Sequence, residues 1–373
     1  MRIGVPAEVK NHEERVALTP AGAHELSRRG HTVTVQSGAG TGIGIPDDAY
    51  AAAGARIGTV EEAWDAELVL KVKEPIASEY GFLRDDLTLF TFLHLAADEP
   101  LTDALLAAGT TAIAYETVQL ADRSLPLLAP MSEVAGRLSV LMGGYHLLGP
   151  QGGSAKLLAG VPGVPPAKVA VIGGGIAGWN AVAQAVGLGA DVTVLDISLP
   201  RLREFDDIYH GRVHTLASTA HAVASATADA DLVIGSVLVP GARAPKLVTH
   251  EAVERMRPGS VLVDIAIDQG GCFEDSHATT HDAPTYPVAG TLFYCVANMP
   301  GAAAATATAA LTNVTLPYAL RLADLGWREA VDRDPALAGG LTTTGGAITN
   351  PGVAQAFPGK LAHLGGTAAD AVA

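Results

Sequence analysis

The sequence predicts an α/β protein built from two doubly wound, Rossmann-like domains joined by long helices. Three observations carry the prediction. Short β-branched runs alternate with helix-length Ala- and Leu-rich stretches, the rhythm of parallel strands with helices packed on both faces. One such unit, Lys168-Val-Ala-Val-Ile-Gly-Gly-Gly-Ile-Ala-Gly-Trp179, places glycines in the order G-x-G-x-x-G. Two longer stretches, Met131–Leu148 and Gly301–Leu322, break the rhythm where the chain leaves the first domain and returns to it. At 373 residues the chain has room for two domains, expected at 1–129 plus 306–373 and at 130–305.

The glycine unit organises the rest. Val169–Ile172 has the composition of a buried parallel strand, and Trp179–Gly189 reads as a helix. A second strand, Asp191–Leu195, runs into Asp196 at about the 20-residue interval of a dinucleotide fingerprint. Gly173 serves the tight turn, Gly175 lets a pyrophosphate approach the backbone, and Gly178 lets the helix pack on the sheet. The helix start offers N–H groups and partial positive charge to phosphates. Asp196 can accept from ribose hydroxyls and repels a 2′-phosphate, so NAD rather than NADP is the expected cofactor.

Taken in order, Arg2–Pro6 is a first strand, followed by a charged segment, Glu8 to Leu18. Thr19-Pro20 starts a helix over Ala21–Arg29, with proline in its first turn. His31–Gln36 alternates as a strand. Ser37-Gly-Ala-Gly-Thr-Gly-Ile-Gly44 is glycine-rich but lacks a strand–helix frame, so it reads first as a turn. Helices follow at Asp47–Ala53 and Val60–Ala66, then strands at Leu68–Lys73 and Leu87–Leu93, a helix at Pro100–Ala108 and a strand at Thr111–Val118. Beyond Asp196, the pattern gives helix Pro200–Phe205, strand Val213–Leu216, helix Ala220–Ala228, strand Asp231–Val237 and helix His250–Met256. The apolar strand Ser260–Asp268 and the last strand with its exit, Phe293–Pro300, complete the second domain. Leu341–Pro351 offers an edge element to the first.

Composition narrows the function. A net charge of −15 without a basic stripe argues against duplex nucleic acid. No apolar run of about 18 residues suggests a membrane span, and the charged N-terminus lacks a signal-peptide core. Cys272 and Cys295 form neither a disulfide framework nor a metal-ligand spacing, consistent with a reducing, cytoplasmic setting and no metal.

Ligands of doubly wound sheets sit beyond the carboxyl ends of the strands. Lys73 and His94 close successive strands at that edge, where each is either a solvated or packed strand end or part of a site. Asp268, at the tip of an apolar strand before Gly270-Gly271, is either a turn-former or a partly desolvated acid with a raised pKa suited to proton transfer.

Seven segments in order, Lys10-Asn-His-Glu-Glu-Arg-Val-Ala-Leu-Thr-Pro-Ala-Gly22, Lys71-Val-Lys-Glu-Pro75, Phe92-Leu-His-Leu-Ala96, Pro130-Met-Ser-Glu-Val-Ala-Gly136, the glycine loop, Val263-Asp-Ile-Ala-Ile-Asp-Gln-Gly-Gly271 and Asn298-Met-Pro-Gly301, closely resemble the bacterial alanine dehydrogenase family over essentially the whole length. The resemblance implies reversible oxidative deamination of L-alanine by NAD to pyruvate, ammonium and NADH, in a homohexamer with its active site in an interdomain cleft. On the matching positions it implies that Arg15 and Lys73 hold the substrate and that His94 and Asp268 are the catalytic pair. It also implies an NAD site made by Ser132, Gly173, Gly175, Ile176, Ala177, Gly178, Asp196, Arg201, Ser218, Val237, Leu238, Ile265, Ala266, Ile267, Asp268, Val296, Ala297, Asn298 and Met299. Arg201 is expected over the adenine or at its ribose, and in some relatives an arginine there would admit NADP.

The chemistry agrees with these residue types. An anionic carboxylate calls for an arginine fork or a lysine, and the water and amine steps call for a proton shuttle near neutral pH. The alternatives are the soluble NAD-binding alpha subunit of proton-translocating transhydrogenase, a saccharopine- or lysine-type imine reductase, and a non-catalytic NAD-sensing regulator. Retention of Lys73, His94 and Asp268 together favours the dehydrogenase.

Overall fold

The β-branched runs become strands, those at the centre of each sheet buried on both sides. In chain order, β1 (Arg2–Val5), β2 (Thr32–Gln36), β3 (Arg56–Gly58), β4 (Leu68–Leu70), β5 (Thr88–Thr91) and β6 (Thr111–Ala114) come first. Then follow β7 (Lys168–Ile172), β8 (Asp191–Asp196), β9 (Val213–Ala217), β10 (Leu232–Gly235), β11 (Val261–Asp264), β12 (Thr285–Val288) and β13 (Thr291–Tyr294), and last β14 (Leu341–Thr344) and β15 (Ala347–Ile348). The structure, a computed structural model, describes residues 1–237 and 244–362. Leu238, assigned above to the nucleotide site, lies outside them. The chain divides into two compact units, Met1–Met131 with the chain from Ala303, and Ser132–Ala302.

In the first unit the strands run β15-β14-β6-β5-β4-β1-β2-β3, parallel from β6 to β3, with β14 and β15 added antiparallel at one edge. Period-2 alternation sends Leu68 and Leu70 to one core and Val69 to the other, as a parallel sheet between two helical layers requires. The chain reverses its winding between β1 and β4, so a topological switch point lies at their carboxyl ends. Helices start where the sequence supplies caps. Thr19 accepts from Gly22 N ahead of Pro20, Thr59 and Glu62 form a capping box, and Asp98 accepts from Leu101 N. The glycine-rich stretch 37–44 is a tight turn, tied down where Asp47 accepts from Ser37 Oγ and Gly38 N.

In the second unit the order is β12-β13-β11-β10-β7-β8-β9. All pairs are parallel except β12–β13. Val169 and Val171 face one core while Ala170 and Ile172 face the other. The switch point falls between β7 and β10. The antiparallel edge strand β12 is absent from the sequence reading because it contains Pro287, which an edge tolerates.

The two long helices span Ala129–His146 and Ala304–Leu325. The second starts later than Gly301 because Met299–Ala303 is a 3-10 turn. No helix among the described residues is long and apolar enough to cross a membrane, and none of their His, Cys, Asp and Glu side chains gather as a metal cage.

Candidate active and nucleotide sites

Four strands of the first unit end together, and their exits carry the charged residues. The strand predicted over Leu68–Lys73 stops at Leu70, and that over Leu87–Leu93 spans only Thr88–Thr91. The ladder nevertheless continues, since Lys71 N donates to Phe90 O (3.2 Å) and Phe92 N to Val72 O (3.3 Å). Lys73 and His94 therefore leave neighbouring strands on the same edge, beside the exit of β1 that leads to Arg15.

Each cation there has a carboxylate partner. Arg15 is buried, its Nε and Nη2 donating to the two oxygens of Glu13 at 2.6 and 2.5 Å, and its Nη1 lies 3.0 Å from Met131 Sδ. This fork fixes the guanidinium plane. Lys73 Nζ lies 3.9 Å from Glu74 Oε2, and Glu74 Oε1 accepts from Lys10. Burial pushes the Glu74 carboxyl up, but the Lys73 charge and the Lys10 hydrogen bond outweigh it, so it sits below the ordinary range and stays ionised.

Beneath them Lys71 is fully buried between Glu8 (3.1 Å) and Glu79 (2.9 Å). Burial alone would lower its pKa, but the two carboxylates hold it above the usual lysine value. Glu8 also accepts from Val72 N (2.6 Å) and Lys73 N (3.3 Å), so the strand exit that presents Lys73 is held from below. His94 is exposed and takes a left-handed backbone, φ 51°. Its N–H donates to Glu116 Oε1 at 2.7 Å, and its ring lies parallel to Phe92 with centroids 5.9 Å apart. Glu8, Glu13, Glu74 and Glu116 escape a reading of the sequence. They look like ordinary charges, and only burial and proximity give them their work.

In the second unit the glycine turn forms as expected. Gly173 has φ 99°, which L side chains rarely adopt. A Cβ on Gly178 would stand 1.8 Å from Gly173 O, so only glycine lets the helix Ile176–Gly187 approach the strand. A Cβ on Gly175 would meet nothing within 4 Å, which leaves space beside the helix start for a ligand. Ile176, at that start, is 40% exposed. Asp196 closes β8 and accepts from Gly174 N (2.6 Å) and Ser198 N (2.7 Å). Ser218 N donates to the Asp196 backbone carbonyl (2.9 Å), bringing the exit of β9 alongside. Arg201 lies over the Trp179 ring, 4.4 Å to centroid, and its Nε donates to Gly174 O at 2.5 Å. Val237 leaves β10 against Gly173. These features suit a dinucleotide, with an open glycine turn, a helix N-terminus and an acid at the second strand's tip.

Asp268 is placed differently from the sequence reading. β11 ends at Asp264, and Ile265–Gln269 is a 3-10 turn on which Asp268 is exposed. The desolvated strand-end acid is Asp264. It is fully buried and accepts from Ala266 N, Cys272 N, Phe273 N and Ser276 Oγ. Burial raises its pKa, opposed by those hydrogen bonds. Ala266, Ile267, Val296 and Met299 are buried in the unit's cores. Ile265 and Ala297 are half-buried, and Asn298 takes φ 61° at the start of the exit from β13. Ser132, half-buried, sits in the first turn of the helix Ala129–His146.

Comparison with known proteins adds an independent line. The family described as Alanine dehydrogenase/PNT, N-terminal domain matches residues 4–135, and Alanine dehydrogenase/PNT, C-terminal domain matches 139–351. The chain is 61% identical to the alanine dehydrogenase of Mycobacterium tuberculosis over 356 residues, 95% of this chain and 96% of that protein. A solved L-alanine dehydrogenase superposes with TM-score 0.93 at 51% identity, covering 96% of this chain and 99% of the other. A transhydrogenase from Sinorhizobium meliloti superposes with TM-score 0.81 at 29% identity, covering 94% and 99%.

Proposed function

This chain belongs to the alanine dehydrogenase/PNT family, and from that premise we propose that it is an alanine dehydrogenase, interconverting L-alanine with pyruvate and ammonium. The observation that carries the reading is the placement of Lys73 and His94 just beyond the neighbouring strands β4 and β5 in a chain that also holds an intact dinucleotide turn. NAD, when bound, would supply the acceptor for the hydride that leaves the alanine α-carbon.

The protein's own groups do the rest. Arg15, oriented by Glu13, and Lys73, steadied by Glu8 and Glu74, hold the substrate carboxylate and the oxygen that becomes the pyruvate carbonyl. Loss of hydride leaves an iminium on the substrate, to which water adds. Asp268, exposed and so able to exchange protons, serves that addition and the release of ammonia. His94 hydrogen-bonds the substrate oxygen as it changes from hydroxyl to carbonyl. Gly173, Gly175, Ile176, Ala177 and Gly178 cradle the pyrophosphate, and Asp196 takes the adenosine ribose and disfavours a 2′-phosphate. We further propose a cytoplasmic homohexamer, on the family resemblance.

The test is NADH appearance on adding L-alanine to NAD and purified protein. Turnover dependent on both supports the reading, and its absence from folded protein overturns it. The transhydrogenase alpha-subunit alternative rests on the 29% match and would show nucleotide binding without any alanine-dependent reduction.

A further inference from the structure

An arginine near the acid that closes the second strand is the group that can accommodate a 2′-phosphate in a dinucleotide fold, and Arg201, which stands there, is tied at two of its nitrogens. Its Nε donates to Gly174 O at 2.5 Å, and its Nη1 pairs with Glu204 one helical turn on. Its plane is fixed by Trp179, 4.4 Å to centroid, and by Phe205, at 5.6 Å. The same residue is held through its preceding peptide as well, because Gly174 N donates to Asp196 Oδ2. A Cβ on Gly174 would stand 2.9 Å from Phe205 Cε2, 3.2 Å from Asp196 Oδ2 and 3.3 Å from Arg201 Cγ, so three side chains converge on this one turn residue.

A guanidinium grips phosphate strongly through two parallel N–H groups, and it has two edges that offer such a pair. One edge joins Nε to Nη2, and Gly174 O already takes its Nε. The other joins Nη1 to Nη2, and Glu204 takes its Nη1. Breaking the Gly174 bond would loosen the glycine turn itself. Breaking the Glu204 pair would disturb only two side chains on one helix face, since Glu204 is about half exposed. We propose that Glu204 is a specificity-determining residue for the nucleotide: by pairing with Nη1 it makes a 2′-phosphate compete with a carboxylate for the one two-pronged edge of Arg201 that could be released without cost to the turn. Discrimination then has two parts, repulsion by Asp196 and sequestration of Arg201 by Glu204. The pair is worth little to stability, because exposed ion pairs are screened and entropically costly. Its effect is on what Arg201 can reach.

This inference rests on the dinucleotide reading of the second unit, and the experiment separates the two. Dissociation constants for NADH and NADPH are measured by calorimetry on the full-length protein, the Glu204→Ala variant and the Arg201→Ala/Glu204→Ala double variant, with thermal melts to establish folding. Glu204→Ala is expected to tighten NADPH by roughly three- to fivefold, the upper range for release of one exposed ion pair, so that the NADH preference narrows through the NADPH arm. The double variant should lose that gain, and high salt should shrink it. NADPH affinity within about twofold of the parent in Glu204→Ala, or a gain that survives removal of Arg201, overturns the role of Glu204 while the dinucleotide site stands. A parent protein that binds neither nucleotide overturns both.

Discussion

At the scale of single residues, the side chains proposed to meet ligand are legible in the sequence and those that hold them are not. Lys73, His94 and Asp196 follow strands, and strand exits are where doubly wound sheets bind. Glu13 and Glu8 are known only from their distances to Arg15 and Lys71. Asp268 does not close a strand, although the apolar run extends to it, because Asp264 caps Ala266 N and stops the strand four residues sooner. The holding roles make predictions. Lys73→Ala is expected to abolish turnover while NADH binding, followed by its fluorescence, stays near normal. Collapse of NADH binding in a folded variant would move Lys73 to the nucleotide site. Asp196→Ala is expected to narrow the preference for NAD by weakening NADH as well as by relieving repulsion, because the carboxylate also holds Gly174 N and Ser198 N. Dissociation constants for both nucleotides check this, and an NADH affinity equal to the parent's would show that the turn does not need Asp196.

At the scale of elements, the glycine turn, both long helices and the β14–β15 edge are readable from pattern, and the ends of elements are not. Ends depend on where a side chain intercepts the backbone, as Asp264 does, and on turns such as Met299–Ala303. The helix Ala129–His146 ends on a residue the pattern cannot flag. His146 is buried beside Tyr145 and Tyr294, and neither ring nitrogen has a hydrogen-bond partner among the described residues, nor does Tyr294 Oη. Burial lowers its pKa from the ordinary value of 6.5. The folded state therefore sheds a proton that the unfolded chain binds, so stability is lost as pH falls through about 6.5 toward the folded value. His146→Leu removes the titrating group and two unsatisfied atoms at similar volume. Its melting temperature should match or exceed the parent's at about pH 8, and the margin should widen at about pH 5.5. A margin that is constant across that range would mean His146 finds a partner when protonated.

At the scale of the molecule, the two units each have their own sheet and core. His94 belongs to the first and Asp268 to the second. The proposed reaction assigns a role to each, since the alanine carbon must give up hydride, gain water and lose ammonia before product leaves. Asp268→Asn keeps the shape of the side chain and removes the base, so it is expected to lower turnover by about 10²–10⁴-fold, the range of general acid–base catalysis. His94→Ala should lose a similar factor through the substrate oxygen. If the two groups serve the same water-addition and ammonia-release sequence, removing the second after the first has little left to remove. The double variant should then fall well short of the product of the single losses. Full multiplicativity would assign them to separate steps, and near-normal turnover in Asp268→Asn would leave that acid as a turn residue after β11. A pH–rate profile separates a lost proton shuttle from a structural fault. A catalytic Asp268 removes one limb of the parent's profile, whereas a merely structural one lowers the whole curve without changing its shape.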